Sequence, residues 1–224
     1  MHYHIINGVD KTRAARMSSE FVKANVPEKD VFWITSHNKD VLTDEFIKTI
    51  VNQNESETNG RYVLPGCPNL NKGQISCTYK HYLALKNIVE NGYEYAVILE
   101  DNIFFKGDLN ERVNQYILQL NTYYPDWDVI FDSDWATYKE GEIKSDRLVY
   151  PKSNGMDDYT LGGTRGACFY LLTLKCAKKL YDNYLPFNHA PDWWMNDLFR
   201  KLDIKSFWAE PNIIGVFPHT HTAI

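Results

Sequence analysis

In the stretch YAVILEDNIFF, residues 95–105, Glu100, Asp101 and Asn102 follow directly on an apolar run. Two carboxylates held close together repel each other, and a bound cation relieves that repulsion. A hard cation such as Mg²⁺ or Mn²⁺ held this way keeps positions open for substrate phosphates. Acids and asparagine are also ordinary turn residues, so the three alone do not separate a cation site from a surface turn.

Other residue types in the chain suit the same chemistry. Asp192 follows Pro191 at the start of a helical pattern in PDWWMNDLFRKL. A carboxylate there can accept a proton from an alcohol, although the helix dipole and the unpaired N–H groups are expected to lower its pKa. The same surroundings also suit an acid with no role beyond capping. Asp197, five residues on and on a different helical face, is its competitor. His219 and His221 stand two apart in an irregular tail, where an extended chain points both imidazoles the same way, toward a metal or simply into solvent. Arg13 and Arg16 share one face of a helix start and can reach a phosphate or remain solvated. Trp135, Trp193, Trp194 and Trp208 fall near these acids, and indole faces suit either sugar rings or a core.

The elements that must position these groups follow from periodicity. Residues 3–7 read as a strand, and Ala14, Met17, Phe21 and Val22 as one face of a helix. DVFWIT is a second strand, with a second helix marked by Phe46, Ile47, Ile50 and Val51. This β-α-β-α order predicts a parallel sheet with right-handed crossovers. Residues 51–72 are polar and rich in Asn, Gly and Pro, long enough for a loop over a site. A helix carrying Ile75, Tyr79, Tyr82, Leu83, Ile88 and Val89 ends at Asn91-Gly92, and YEYAVILE follows as a buried strand. Ligands of open α/β sheets bind beyond the carboxyl ends of parallel strands, where Glu100 to Asn102 would sit. After a helix over 109–123, WDVIF is a further strand that closes on Asp132 and Asp134, a second pair of acids for the same rim. GGTRGACFYLLT reads as a glycine-led strand, and Thr173 caps a helix with Leu174, Ala177, Leu180 and Tyr181 inward.

Composition narrows the function class. With 44% hydrophobic residues in 224, the chain can bury one sizeable core. A formal net charge of −5 argues against a nucleic-acid groove, which needs a cationic field. The opening MHYHIINGVD lacks the features of a secretory signal, and no stretch is apolar over the roughly 18 residues of a membrane span, so a cytoplasmic chain with no integral membrane segment is expected. Cys67, Cys77, Cys168 and Cys176 form no C-x-x-C pair and read as reduced thiols.

In order along the chain, these segments resemble glycosyltransferase family 25. The likeness runs from HIINGVDKTR almost to the C-terminus. KGQISCTYKHYLALKNIVENGYEYAVILEDNIFF is similar to the family's G-x-x-G-C-x-x-S-H helix followed by an apolar strand and L-E-D-D. Gly73, Cys77, His81, Leu99, Glu100 and Asp101 match that pattern, whereas Ser76, Lys80 and Asn102 depart from it. DWDVIF, GGTRGACFYLLTLKCAKKL and PDWWMNDLF add further matches.

The resemblance implies a GT-A-like α/β domain over 1–224, its mostly parallel central sheet flanked by helices. Residues 1–105 would form the nucleotide-binding part and 106–224 the acceptor-binding part. It implies an inverting transfer of a hexose, galactose or glucose, from a UDP-sugar donor to a glycan or a hydroxylysine-type acceptor. Asn7, Arg13, Gly73, Cys77, His81 and Glu100 would hold the donor. Asp101, Asn102, His219 and His221 would hold a divalent metal, Mn²⁺ or Mg²⁺, and Asp192 would be the catalytic base. Asn102 replaces a carboxylate of the pattern with an amide, which weakens the metal or leaves a catalytically silent module that only binds sugar nucleotide or glycan.

Overall fold

The computed structural model describes residues 1–8, 10–52, 70–132, 144, 146–152 and 166–217. The chain opens with β1 (His2–Ile6) and α1 (Lys11–Lys23). The Asp10 side chain accepts from the Thr12 and Arg13 N–H groups and so satisfies donors that a helix start leaves unpaired. β2 (Val31–Ile34) and α2 (Asp44–Ile50) repeat the alternation. α3 (Lys72–Asn91) starts on a capping box between Asn71 and Gln74 and ends on Gly92, whose φ of 67° is the left-handed conformation that favours glycine.

Next come β3 (Tyr95–Glu100), a short β4 (Ile103–Phe105), α4 (Leu109–Tyr123) and β5 (Val129–Phe131). β6 (Val149–Lys152) precedes β7 (Phe169–Thr173), from which Thr173 caps α5 (Leu174–Asn183) as its sequence predicts. α6 (Pro191–Lys201), β8 (Ser206–Ala209) and β9 (Ile214–Val216) complete the described chain. None of the helices among the described residues is long and apolar enough to cross a membrane.

The main sheet has seven strands in the order β2-β1-β3-β7-β5-β8-β6, and β4 pairs with β9 separately. β1 is parallel to β2 and β3, and β5 to β8; β7 runs antiparallel to β3 and β5, and β6 to β8. Five strands (β1, β2, β3, β5, β8) therefore point one way, giving the mostly parallel sheet that was expected. The reversal of β7 is what periodicity did not reveal. It brings the residues just before Phe169 to the rim where β1, β3, β5 and β8 end.

Two apolar layers cover the sheet. Ala96 and Ile98 of β3 pack with Ile75, Leu85 and Ile88 of α3 and with residues of α2, α5 and α6. Val97 and Leu99 face the other way, onto Met17 and Phe21 of α1 and Val113, Tyr116 and Leu120 of α4. Successive strand side chains point to opposite faces, so one strand serves both layers.

Asp132, expected on the rim, is instead structural. Its carboxylate is buried at the end of β5 and accepts from Tyr116 Oη at 2.7 Å and from the Ile213 and Ile214 N–H groups at 3.0 and 3.2 Å. It thereby ties α4 and β9 to the sheet. Asp134 and Trp135 lie outside the described residues. Burial holds the Asp132 carboxyl up at about 6 against an ordinary 3.8, more than these donors pull it down. A raised folded-state pKa means that this group's stability is full below the unfolded value and lost as pH rises through the folded one. Between about pH 4 and about pH 7 the wild type should therefore lose on the order of 2 kcal/mol more stability in urea unfolding than Asp132→Asn, which does not titrate. Parallel pH profiles for the two proteins would show that the carboxyl is not perturbed.

Candidate functional site

The alternation along β3 decides where the acids go. Ala96 and Ile98 face α3, so Glu100 faces α3 as well; Val97 and Leu99 face α1, and Asp101 follows them. The two adjacent carboxylates consequently serve different neighbours.

Asp101 is 5% exposed and is held by the turn between β1 and α1. Its Oδ2 accepts from Asn7 Nδ2 at 2.8 Å and from the Gly8 N–H at 3.2 Å, and its Oδ1 from Arg13 Nη1 at 3.3 Å. Register makes this contact, since Ile6 stands opposite Glu100 and the Asp101 N–H donates to the Ile6 carbonyl. Burial raises the Asp101 pKa, while the Gly8 and Arg13 donors oppose the rise. Beneath the same turn, buried Lys80 of α3 donates to the Asn7 carbonyl at 2.6 Å and to Asn38 Oδ1. The sequence marks Lys80 only as a departure from the family pattern. A lysine on an inward-facing helix stretch was the signal that it had a buried partner.

On the other face, Cys77 and His81 lie one turn apart on α3 and meet Glu100. His81 Nε2 is 3.8 Å from Glu100 Oε1, and its Nδ1 is 2.8 Å from Tyr170 Oη, a partner from β7 for which the sequence carried no signal. Gly73 sits in the first turn of α3, one turn ahead of Cys77. Burial pushes the Cys77 thiol well up, and the charges of Glu100 and Asp192 add to the effect.

Asp192, in the first turn of α6, accepts from the Gly166 N–H at 3.1 Å and the Trp193 N–H at 3.0 Å. Its pKa is raised, not lowered as the helix start alone predicts. Desolvation outweighs both N–H donors, and the Glu100 charge adds to the rise. Asp197 is occupied by Arg200 and by His189 at 3.6 Å. Of the tryptophans, Trp208 is buried in the core, and Trp194 is half-buried with its indole N–H on the Tyr184 carbonyl. Trp193 is half-buried beside Asp192.

Of the residues expected to hold a metal, Asp101 and Asn102 follow directly on β3. Asn102 Oδ1 is buried without a hydrogen-bond partner among the described residues, as an acceptor awaiting a cation would be. Asp101 Oδ1 keeps capacity beyond its Arg13 bond. His219 and His221 lie outside the described residues.

With this geometry in view, the likenesses to known proteins can be read. The family model described as Glycosyltransferase family 25 (LPS biosynthesis protein) matches residues 1–195. Procollagen galactosyltransferase 1 of Danio rerio is 26% identical over 184 residues, 73% of this chain and 29% of that protein. Inactive glycosyltransferase 25 family member 3 of Mus musculus is 25% identical over 155 residues, 63% of this chain and 25% of that protein. The chain thus spans less than a third of the length of these curated relatives. Among solved structures, the crystal structure of A197 from STIV is similar in fold, with a TM-score of 0.50, 10% identity and coverage of 97% of this chain and 86% of that one.

If Asp101 holds the β1–α1 turn, Asp101→Ala should cost about 1–3 kcal/mol in chemical denaturation, because it takes the acceptor from the buried Asn7 amide and removes one of the carboxylates that Arg13 meets. A loss under about 1 kcal/mol, the value of a surface pair, would show that the turn stands without it.

Proposed function

Since this chain belongs to glycosyltransferase family 25, we propose that it transfers a hexose, galactose or glucose, from a UDP-sugar to a hydroxyl of a glycan or a hydroxylysine-type acceptor. The observation that carries this reading is Asp192, a half-buried carboxylate of raised pKa beside Gly166, whose competitor Asp197 is committed to Arg200 and His189. A base poised above the ordinary aspartate range suits proton abstraction from an alcohol better than a fully relaxed carboxylate does.

In the proposed reaction Asp192 takes the proton from the acceptor hydroxyl as its oxygen attacks the anomeric carbon. The attack comes from the face opposite the nucleotide, so the configuration inverts and UDP leaves. Asn7 and Arg13, oriented by Asp101, would meet the donor phosphates, because a guanidinium and amide donors suit phosphate oxygens. Trp193 offers an indole to a sugar face beside the base. A divalent cation, Mn²⁺ or Mg²⁺, would be held by Asp101 Oδ1 and Asn102 Oδ1 and would neutralise charge on the departing diphosphate. The part up to residue 105 would serve the donor and the remainder the acceptor.

A second reading, a module that binds sugar nucleotide or glycan without turnover, is favoured by the neutral Asn102 and by the inactive mouse relative. The Asn102→Asp variant separates the two. A silent wild type that gains Mn²⁺ binding and turnover on this change supports the module, and an active wild type rules it out.

Incubating the chain with UDP-galactose or UDP-glucose and Mn²⁺ should release UDP, and finding neither hydrolysis, nor transfer, nor UDP binding would overturn the proposal. Asp192→Asn should lower kcat by about 10²–10⁴-fold with UDP affinity nearly unchanged. In the wild type, kcat/KM should fall on acidification with a midpoint above the ordinary aspartate value, because only the ionised carboxylate accepts the proton.

A further inference from the structure

Cys77 Sγ, His81 Nε2 and a Glu100 carboxylate oxygen all lie within 4.8 Å of one another. The imidazole is fully buried, and its Nε2 has no hydrogen-bond partner among the described residues. A buried polar atom left unpaired costs about 1–3 kcal/mol, so this one calls for a physical account. Tyr184 Oη, whose pKa burial raises with the Cys77 and Asp192 charges adding to the rise, is likewise buried without a partner among those residues.

We infer that Cys77, His81 and Glu100 form a binding site for a thiophilic divalent cation of the Zn²⁺ class, separate from the hard-cation position at Asp101 and Asn102. Tetrahedral coordination with zinc–ligand bonds of 2.0–2.3 Å sets ligand atoms roughly 3.3–3.8 Å apart. His81 Nε2 and Glu100 Oε1, at 3.8 Å, stand a few tenths of an ångström beyond the spacing of a nitrogen and an oxygen ligand, and with all three donor atoms within 4.8 Å of one another, binding need draw them in only slightly. With Nδ1–H donating to Tyr170 Oη, the imidazole turns its lone pair toward the cluster, the arrangement by which an outer partner orients a metal-binding histidine.

The donor set is also selective. Sulfur and imidazole nitrogen favour Zn²⁺ over Mn²⁺ or Mg²⁺, which prefer oxygen. On binding, the cation replaces the thiol proton of Cys77, which passes to solvent, and a sulfur–metal bond takes the place of the sulfur–hydrogen bond. Cys77 and Glu100 are each partly exposed, so the ion has a path from the rim. A fourth position is left to water. Strand alternation explains why the two sites do not merge, because Glu100 faces α3 and Asp101 faces α1.

Titration of the metal-free full chain with Co²⁺, a coloured stand-in for Zn²⁺, should give a near-ultraviolet sulfur-to-cobalt band that saturates at one equivalent and is abolished by Zn²⁺. Cys77→Ser should lose the band, and Glu100→Gln should keep it with affinity weakened at least about tenfold. Tyr170→Phe should keep the band with affinity about 10–100-fold weaker. No band in the wild type, a band that survives Cys77→Ser, or unchanged affinity in both Glu100→Gln and Tyr170→Phe would overturn the inference. These readouts need no turnover, so a chain that binds Co²⁺ but transfers no sugar sinks only the proposed activity.

Discussion

The carboxylate of Asp101 meets three donors from a segment more than 85 residues earlier in the chain, and the geometry of the rim depends on that meeting. β1 and β3 are adjacent parallel strands, so the residues that follow them emerge side by side. A turn leaving β1 toward α1 must satisfy its own N–H groups and place a helix start, and one buried acid does both. Asp10 orders the first helical N–H groups, and Arg13 then projects back onto Asp101. Lys80 supports the same turn from below through the Asn7 carbonyl, so a cation from α3 and an anion from β3 fix one short piece of backbone. The local charges nearly balance. Where Arg13 and Lys80 offset Asp10 and Asp101, the turn can present donors to an anion without carrying a large field of its own.

Across the sheet the balance is different. Glu100 and Asp192 are both acidic, and each raises the pKa of its neighbours in a region crowded by Cys77, Tyr170 and Tyr184. Such surroundings favour either a proton or a cation, since like charges at close range in a low dielectric are costly. The reversal of β7 matters here because it supplies Tyr170 to His81 and delivers Gly166 to Asp192. The carboxylates of Glu100 and Asp101 are thereby set on opposite faces, separated by the thickness of a single strand.

Asp132 shows how the same residue type at an equivalent strand end can serve only the scaffold. It is enclosed by Tyr116 and the chain leading into β9, so its oxygens are spent on protein donors. Asp192 spends its oxygens on two backbone N–H groups yet keeps partial solvent access at the rim. The difference lies in what covers each acid, not in the local sequence.

Much of the architecture was legible in the sequence because helices and strands are written in local periodicities. The capped start at Thr173, the Asn91-Gly92 stop and the buried strand ending at Glu100 all follow from residues within a few positions of one another. What only the tertiary structure decided was the direction of β7, the partition of Glu100 and Asp101 between opposite faces, and the partnership of Lys80 with Asn7. Asp192 makes the reason plain: its helix position argues for a lowered pKa, and its burial raises it. Capping and dipole effects are set by neighbours along the chain, whereas desolvation sums over every atom that folding brings near, and no local pattern contains that sum.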